Sequence, residues 1–177
     1  MKHTLRRDLF VLLFFTLLTL VMTYPLITKI GSVYAGNNED LWTFQWDNWW
    51  TRTALSHGLD TLYTPYQFYP NGVSLAAHSL SFYNSIIWIP LSAVFGDIAG
   101  YNITILLTFI LSGYTMFKLA EYLLAAVNRQ QIADGHDPTA AGSRWSVVAP
   151  IIAGSVFAFA PYHFSQSLGH VSLASVQ

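Results

Sequence analysis

Four long stretches of the chain contain no Lys, Arg, Asp or Glu residue: 9–28, 61–96, 98–117 and 145–177. A helix needs about 20 apolar residues to cross the hydrocarbon core of a bilayer, and these stretches are long enough. A soluble amphipathic helix would place polar side chains along one face, and the beginning of the first stretch has no such face. The pattern predicts an all-α integral membrane protein.

The positive charges orient the predicted spans, because Lys and Arg remain on the cytoplasmic side. Residues 79–95 are ambiguous, since polar residues and a proline interrupt an apolar stretch. If this segment crosses the membrane, most of the eight basic residues lie outside; if it only dips in, most lie inside. We therefore predict a cytoplasmic N-terminus, transmembrane spans at about 8–28, 99–123 and 145–163, and an outer loop at 29–98 in which 79–95 is partly embedded.

The first span has an alternative interpretation as a cleaved signal peptide. A basic N-terminus precedes it, and V-Y-A at residues 33–35 resembles a cleavage site. The apolar run continues past Pro25, however, and Lys29 interrupts the cleavage region, so an uncleaved anchor is favoured. The chain stops at Gln177 in the middle of an apolar pattern, and we expect it to be the N-terminal part of a longer protein.

The amino-acid composition excludes several classes of function for this protein. Hydrophobic residues make up 53% of the chain and charged residues 10%, with a formal net charge of -1. This balance offers no basic surface for nucleic acid, so no nucleic-acid partner is expected. The absence of cysteine excludes disulfides, thiolate metal ligands and thiol nucleophiles. The lipid bilayer is the expected partner, and protein partners stay open.

The most informative segment is residues 37–50, which combines carboxylates with tryptophans. On a helix its four indoles fall within one arc of about 100°. These indoles belong to Trp42, Trp46, Trp49 and Trp50. Asp40 and Asp47 are seven residues apart and share a different face. Because indole rings prefer the membrane–water boundary, we predict an interfacial helix that lies flat on the outer leaflet and holds both carboxylates above the headgroups.

Each candidate residue also has a purely structural interpretation. Asp40 is suited to a helix N-terminus, where a carboxylate caps backbone N–H groups and favours the helix dipole. Asp47 and Arg52 can form a solvated ion pair. A lone histidine such as His78 is more often a hydrogen-bonded structural residue than a catalyst.

The cofactor is left undetermined by the sequence. His163 and His170 are spaced to share a helix face, but no acidic residue accompanies them, so a zinc site has little support. A divalent metal is compatible with the chain, and no organic cofactor is expected.

Several short motifs follow one another along the chain in a characteristic order. They are T-Y-P-L at 23–26, the stretch 36–40 that leads into the tryptophan-rich segment, F-Y-P-N-G at 68–72 before His78, and 157–164 followed by L-G-H at 168–170. This order resembles the N-terminal part of polytopic membrane glycosyltransferases of the GT-C superfamily, in particular its large bacterial members. The resemblance covers essentially the whole chain.

The resemblance implies a sugar donor linked to polyprenyl phosphate, used on the extracytoplasmic face of the plasma or inner membrane. Asp40 lies at the position of the general base that accepts the proton of the acceptor hydroxyl, and the adjacent Glu39 is an alternative. Cationic side chains would bind the donor phosphate. The candidate substrate-binding residues are Arg52, His78, His163 and His170. The remainder of the site is expected beyond Gln177.

A second function stays open. The outer loop could anchor the protein or bind a partner without catalysing a reaction, as a non-catalytic membrane module.

Overall fold

The computed structural model describes residues 2–36, 39–78, 80–134, 142–170 and 174, with side chains described for all of these except 2–4, 39 and 142–146. This part of the chain is mostly helical, as predicted. Its helices are α1 (Lys2–Met22), α2 (Glu39–His57), α3 (Phe82–Phe95), α4 (Asp97–Ala133), α5 (Gly142–Ala158) and α6 (Pro161–Ser167). A 3₁₀ helix covers Leu26–Lys29, and the two-residue strands β1 (Tyr63–Thr64) and β2 (Val73–Ser74) pair antiparallel.

Among the described helices, α4 is long and apolar enough to cross a membrane. The predicted span at 99–123 lies within it. Helices α5 and α6 together would supply a second crossing, with a bend of 43° between them. The predicted span at 145–163 is therefore not one straight helix. It breaks at residues 159–160, because Pro161 has no amide hydrogen and disfavours a helical conformation of the residue before it.

Helix α1 ends six residues before the end of the predicted first span at 8–28. It ends at Met22, and the 3₁₀ helix follows Pro25. Proline lacks an amide hydrogen and disfavours a helical conformation of the residue before it, which favours an end of the α-helix ahead of Pro25. The uncharged helical residues 9–22 extend about 21 Å, less than the roughly 30 Å of a hydrocarbon core.

Helix α3 corresponds to the ambiguous segment at 79–95, of which Ser79 lies outside the described residues. The helix has 14 residues, or about 21 Å, and is too short to cross a bilayer as a straight helix. Its buried face carries polar side chains, and Ser85 donates a hydrogen bond of 2.8 Å to Asn48 of α2. The polar residues that interrupt the apolar pattern are thus used for packing between two helices.

The chain divides into two compact units, one comprising residues 1–24 and 106–163 and the other residues 25–105 and 164–177. In the first unit, the ring of Phe15 on α1 is fully buried. A Cβ added at Gly113 of α4 would lie 2.5 Å from this ring, and one added at Gly154 of α5 would lie 2.6 Å from it. The missing side chains let three helices approach closely, as small residues do in membrane helix bundles.

Charged side chains also link α1 and α4 within the first unit. Arg7 donates a hydrogen bond of 3.2 Å to Glu121, and Lys118 Nζ lies 3.4 Å from Asp8 Oδ1. The contact of Phe15 lies nearer the C-terminus of α1 and nearer the N-terminus of α4. The two helices are therefore antiparallel, with the beginning of α1 beside the later part of α4.

In the second unit, Trp50 is fully buried and packs with Ala54 and Leu75. The Trp46 ring stacks on it, with centroids 6.3 Å apart. The prediction that all four indoles of α2 face the membrane is therefore wrong for Trp50, which lies in the core of this unit. Only Trp42 is strongly exposed, at 64%. Tryptophan at helical spacing cannot by itself distinguish a lipid-facing stripe from a core stripe.

Asn102, near the start of α4, secures the loop that precedes α2. Its side-chain amide donates to the carbonyl groups of Ile30 and Val33 at 2.7 and 2.8 Å, and its carbonyl accepts from the Ala35 amide at 2.8 Å. The side chain is fully buried. These three hydrogen bonds hold residues 30–35 against α4 and so determine where α2 begins.

Candidate functional site

Two residues that the sequence analysis proposed separately are in contact in the second unit. Asp40 lies in the first turn of α2, and His170 follows α6. The Asp40 Oδ2 atom lies 2.7 Å from His170 Nε2, and the side chains are 51% and 42% exposed. A carboxylate and an imidazole that are in contact and both open to solvent can accept, donate or transfer a proton at a bound hydroxyl group.

The approach of the two chain segments depends on Gly36. This residue has φ +113°, a conformation that L side chains rarely adopt. A Cβ at this position would clash with the Leu168 carbonyl group. Gly36 precedes Asp40 by four residues and Leu168 precedes His170 by two. The glycine therefore lets the segments that carry the pair come together.

The alternative base, Glu39, begins α2, but its side chain lies outside the described residues. Asp40 is not the N-cap of α2, since the helix begins one residue earlier. A carboxylate in the first turn still interacts favourably with the helix dipole.

A second carboxylate–imidazole pair lies further along α2. Asp47 Oδ1 is 2.9 Å from His78 Nε2, and the side chains are 2% and 30% exposed. Burial raises the pKa of Asp47 from its usual value near 3.8 to about 6, and the adjacent His78 opposes part of this rise. Asp47 Oδ2 is buried and has no partner among the described residues. The sequence pattern does not reveal this pair, because 31 residues separate its members.

The two pairs follow one another along the same helix. Asp40 and Asp47 are seven residues, or almost two turns, apart and share one face, at a separation of about 10 Å along the axis. Each carboxylate holds one imidazole nitrogen. Asp40 is open to a bound molecule, whereas Asp47 is accessible only through His78.

Arg52 is engaged in contacts within the second unit. Its guanidinium group lies 2.9 Å from Asp97 Oδ1 and 3.4 Å from Asp97 Oδ2, and it sits 4.7 Å from the centroid of the Trp88 ring. The predicted pair with Asp47 is wrong, since His78 takes that place. The ion pair and the cation–π contact join α2 to α3 and α4. Both terminal nitrogens of the Arg52 guanidinium group are bound to Asp97, so they are not free for the predicted binding of a phosphate.

His163 belongs to the first unit and has a structural environment. It is fully buried, stacks on Phe109 with centroids 4.0 Å apart, and lies 3.0 Å from Thr108 Oγ1. The predicted shared helix face with His170 is not formed, because α6 ends at Ser167, before His170.

Within the described part of the chain, no group of three His, Cys, Asp or Glu residues could hold a metal ion. The two pairs offer one carboxylate and one imidazole each.

The chain has no match among protein-family models, curated proteins or solved structures. The case for a function therefore depends on the residues and contacts of this chain.

Proposed function

We propose that this chain is part of a membrane glycosyltransferase that transfers a sugar from a polyprenyl-phosphate donor to an acceptor hydroxyl group on the extracytoplasmic face. The single observation that carries the proposal is the contact of 2.7 Å between Asp40 and His170, both exposed. Asp40 is the first-loop carboxylate that the resemblance to GT-C enzymes implies as the base. A second candidate residue, distant in sequence, contacts it.

In the proposed reaction, the acceptor oxygen attacks the anomeric carbon of the sugar. Its proton passes to the Asp40 carboxylate, and the bond between the anomeric carbon and the phosphate oxygen breaks. His170 holds one carboxylate oxygen by its Nε2 atom and so fixes the orientation of the other. Such a pair loses activity when either member is removed, because an unheld carboxylate is no longer aligned with the acceptor.

The antiparallel arrangement of α1 and α4 supports a three-span topology. The ion pairs between Arg7 and Glu121 and between Asp8 and Lys118 place the start of α1 beside the later part of α4. The intervening chain then leaves and returns on the same side of the membrane. With the basic N-terminus in the cytoplasm, residues 29–98 lie outside.

Cysteine labelling tests this topology, since the chain contains no cysteine. We expect Tyr69→Cys, at a residue that is 87% exposed in the outer loop, to react with an impermeant maleimide on intact cells. Gln131→Cys should react only after the cells are permeabilised. Labelling of position 131 from outside would contradict the proposed orientation.

The decisive test of the activity is Asp40→Asn in the intact protein, assayed in membranes with a polyprenyl-phosphate sugar. Loss of a general base should lower the transfer rate by about 10²–10⁴-fold. Asp60→Asn is the matched control: Asp60 is an exposed carboxylate of the same loop that accepts the Leu62 amide, a hydrogen bond that asparagine can also accept. It should retain normal transfer.

A double-mutant cycle separates a functional pair from two independent residues. If Asp40 and His170 act together, adding His170→Gln to Asp40→Asn should cost little further activity, because the pair is already lost. Normal transfer by Asp40→Asn would remove this residue from the mechanism. It would favour the alternative that the outer loop is a non-catalytic anchoring or binding module.

A further inference from the structure

We infer that His78, held by the buried Asp47, is the group that binds and protonates the donor phosphate as it leaves. The inference rests on the proposed glycosyl transfer and assigns the second carboxylate–imidazole pair of α2 to the leaving-group side of that reaction. The ligand it names is a phosphate ester, recognised by the imidazolium form of His78.

The geometry restricts what each member of the pair can do. Asp47 is 2% exposed and 2.9 Å from His78 Nε2. A sugar phosphate therefore cannot contact the carboxylate directly. The imidazole is 30% exposed, and its other nitrogen, Nδ1, has no hydrogen-bond partner among the described residues. An ionised carboxylate only accepts, so Nε2 carries a hydrogen, and in the imidazolium form Nδ1–H is the second donor.

The cationic side chain of Arg52 on α2 is already paired with a carboxylate. Arg52 donates hydrogen bonds to Asp97 from its Nη1 and Nη2 atoms, and its guanidinium group lies over the Trp88 ring. A phosphate at this position would have to compete with a carboxylate for the same donors. His78 contacts a carboxylate at Nε2 alone, so its Nδ1 side remains able to bind an anion.

The two pairs place a proton acceptor and a proton donor on one helix. Asp40 and Asp47 are about 10 Å apart along α2. Asp47 holds His78, so the acceptor Asp40 and the donor His78 are both positioned by α2, at different turns of the helix.

Every proton and every bond in the proposed step is accounted for. The acceptor hydroxyl gives its proton to Asp40, and the acceptor oxygen forms the bond to the anomeric carbon. The electron pair of the breaking carbon–oxygen bond goes to the phosphate oxygen, which takes the Nδ1 proton of His78. Protonated Asp40 and neutral His78 then exchange protons with water, which restores the starting state.

The first experiment varies the leaving group. In His78→Gln, transfer from a polyprenyl-phosphate sugar should fall by about 10²–10⁴-fold, the usual loss on removal of a general acid. Transfer from a nitrophenyl glycoside, whose leaving group needs little protonation, should fall far less. His57→Gln is the matched control, because His57 is exposed at the end of α2 and bonds only to Thr53 and Ser56 beside it. Equal losses of His78→Gln with both donors would overturn the inference.

The Asp47→Asn variant distinguishes a role of Asp47 in positioning His78 from a role in packing alone. Asparagine can still accept from His78 Nε2, so the fold should be retained, but it no longer stabilises the imidazolium form. We expect a lower kcat on the phosphate donor with a smaller change on the nitrophenyl glycoside. A general loss of folded protein, with equal effects on both donors, would make Asp47 a structural residue and contradict the inference.

A binding experiment distinguishes this inference from the proposed function, because it needs no turnover. Polyprenyl phosphate, the corresponding polyprenol and inorganic phosphate are titrated into the detergent-solubilised intact protein. The wild type should bind the phosphate lipid at least about tenfold more tightly than the alcohol, a difference of about 1.4 kcal/mol. His78→Gln should lose this preference, whereas Asp40→Asn and His57→Gln should keep it.

The outcomes separate the two claims. A phosphate preference that His78→Gln abolishes, in a protein that transfers no sugar, supports the site and counts against the activity. Sugar transfer that depends on Asp40, without any phosphate preference at His78, supports the activity and overturns this inference. Binding of inorganic phosphate as tight as that of the lipid would show that the site recognises free phosphate instead of a lipid headgroup.

Discussion

The backbone of Gly36 packs against the backbone carbonyl group of Leu168. The Leu168 carbonyl carbon lies 2.9 Å from the position that a Cβ on Gly36 would occupy, and φ of Gly36 is +113°. Any side chain at residue 36 would both strain this conformation and push the two backbones apart. Because Asp40 and His170 follow these positions closely in sequence, the contact between their side chains depends on this glycine.

We expect Gly36→Ala to separate Asp40 from His170 and to lower sugar transfer by at least about tenfold, equivalent to about 1.4 kcal/mol in the barrier. Thiol crosslinking measures the separation. A bifunctional maleimide of about the combined length of the two replaced side chains should bridge a cysteine pair at positions 40 and 170 readily in an otherwise wild-type chain and slowly when Gly36→Ala is added.

Gly31→Ala is the matched control, because a Cβ on Gly31 meets nothing within 4 Å. It should change neither the crosslinking rate nor the activity. Unchanged crosslinking with Gly36→Ala would show that the two segments approach without help from this glycine.

The sequence predicted local features of the fold better than contacts. The apolar pattern identified α4, since a long uncharged run has few alternatives to a helix. It placed the end of the first helix six residues too late, because Pro25 interrupts the pattern without adding a charge. Tryptophan spacing placed Trp50 on the correct helical face but not in the core, since periodicity reports which residues share a face and not what covers that face.

The sequence predicted residues of the candidate site one by one but neither of the two pairs that they form. Asp40 and His170 were each proposed, yet nothing in the linear order brings them together. A solvated ion pair of Asp47 with Arg52 was the structural alternative for these residues, whereas Asp47 contacts His78 and Arg52 contacts Asp97. Such partners depend on how distant segments pack, which a single sequence does not contain.

Packing of α1 in the first unit should be sensitive to side-chain volume at two glycines. A Cβ at Gly113 would lie 2.5 Å from the Phe15 ring, and one at Gly154 would lie 2.5 Å from the Gly113 carbonyl oxygen. We expect Gly154→Ala to lower the free energy of unfolding by about 1–3 kcal/mol, the usual cost of overpacking. Denaturation in mixed micelles measures the change.

The control lies on the same helix: Ile152 is 52% exposed, and Ile152→Ala should have little effect. Adding Phe15→Ala to Gly113→Ala should cost less than the sum of the single changes, because the smaller residue removes the clash. Strict additivity would show that Phe15 does not occupy the space beside Gly113.

Asp47 should make stability depend on pH in a direction opposite to that of most carboxylates. Burial raises its pKa in the folded protein to about 6, above the usual value near 3.8. The folded state therefore binds more protons than the unfolded state between about pH 4 and pH 6, so stability falls as pH rises through this window. A rise of the Asp47 pKa from 3.8 to about 6 corresponds to about 3 kcal/mol. In Asp47→Asn this decline should disappear, whereas Asp60→Asn, which changes an exposed carboxylate, should leave the profile unchanged. Thermal unfolding in detergent at pH 4 to 7 measures the difference between the variants. If the stability of the wild type and that of Asp47→Asn change in parallel with pH, the Asp47 carboxyl group titrates at its ordinary pKa in the folded protein.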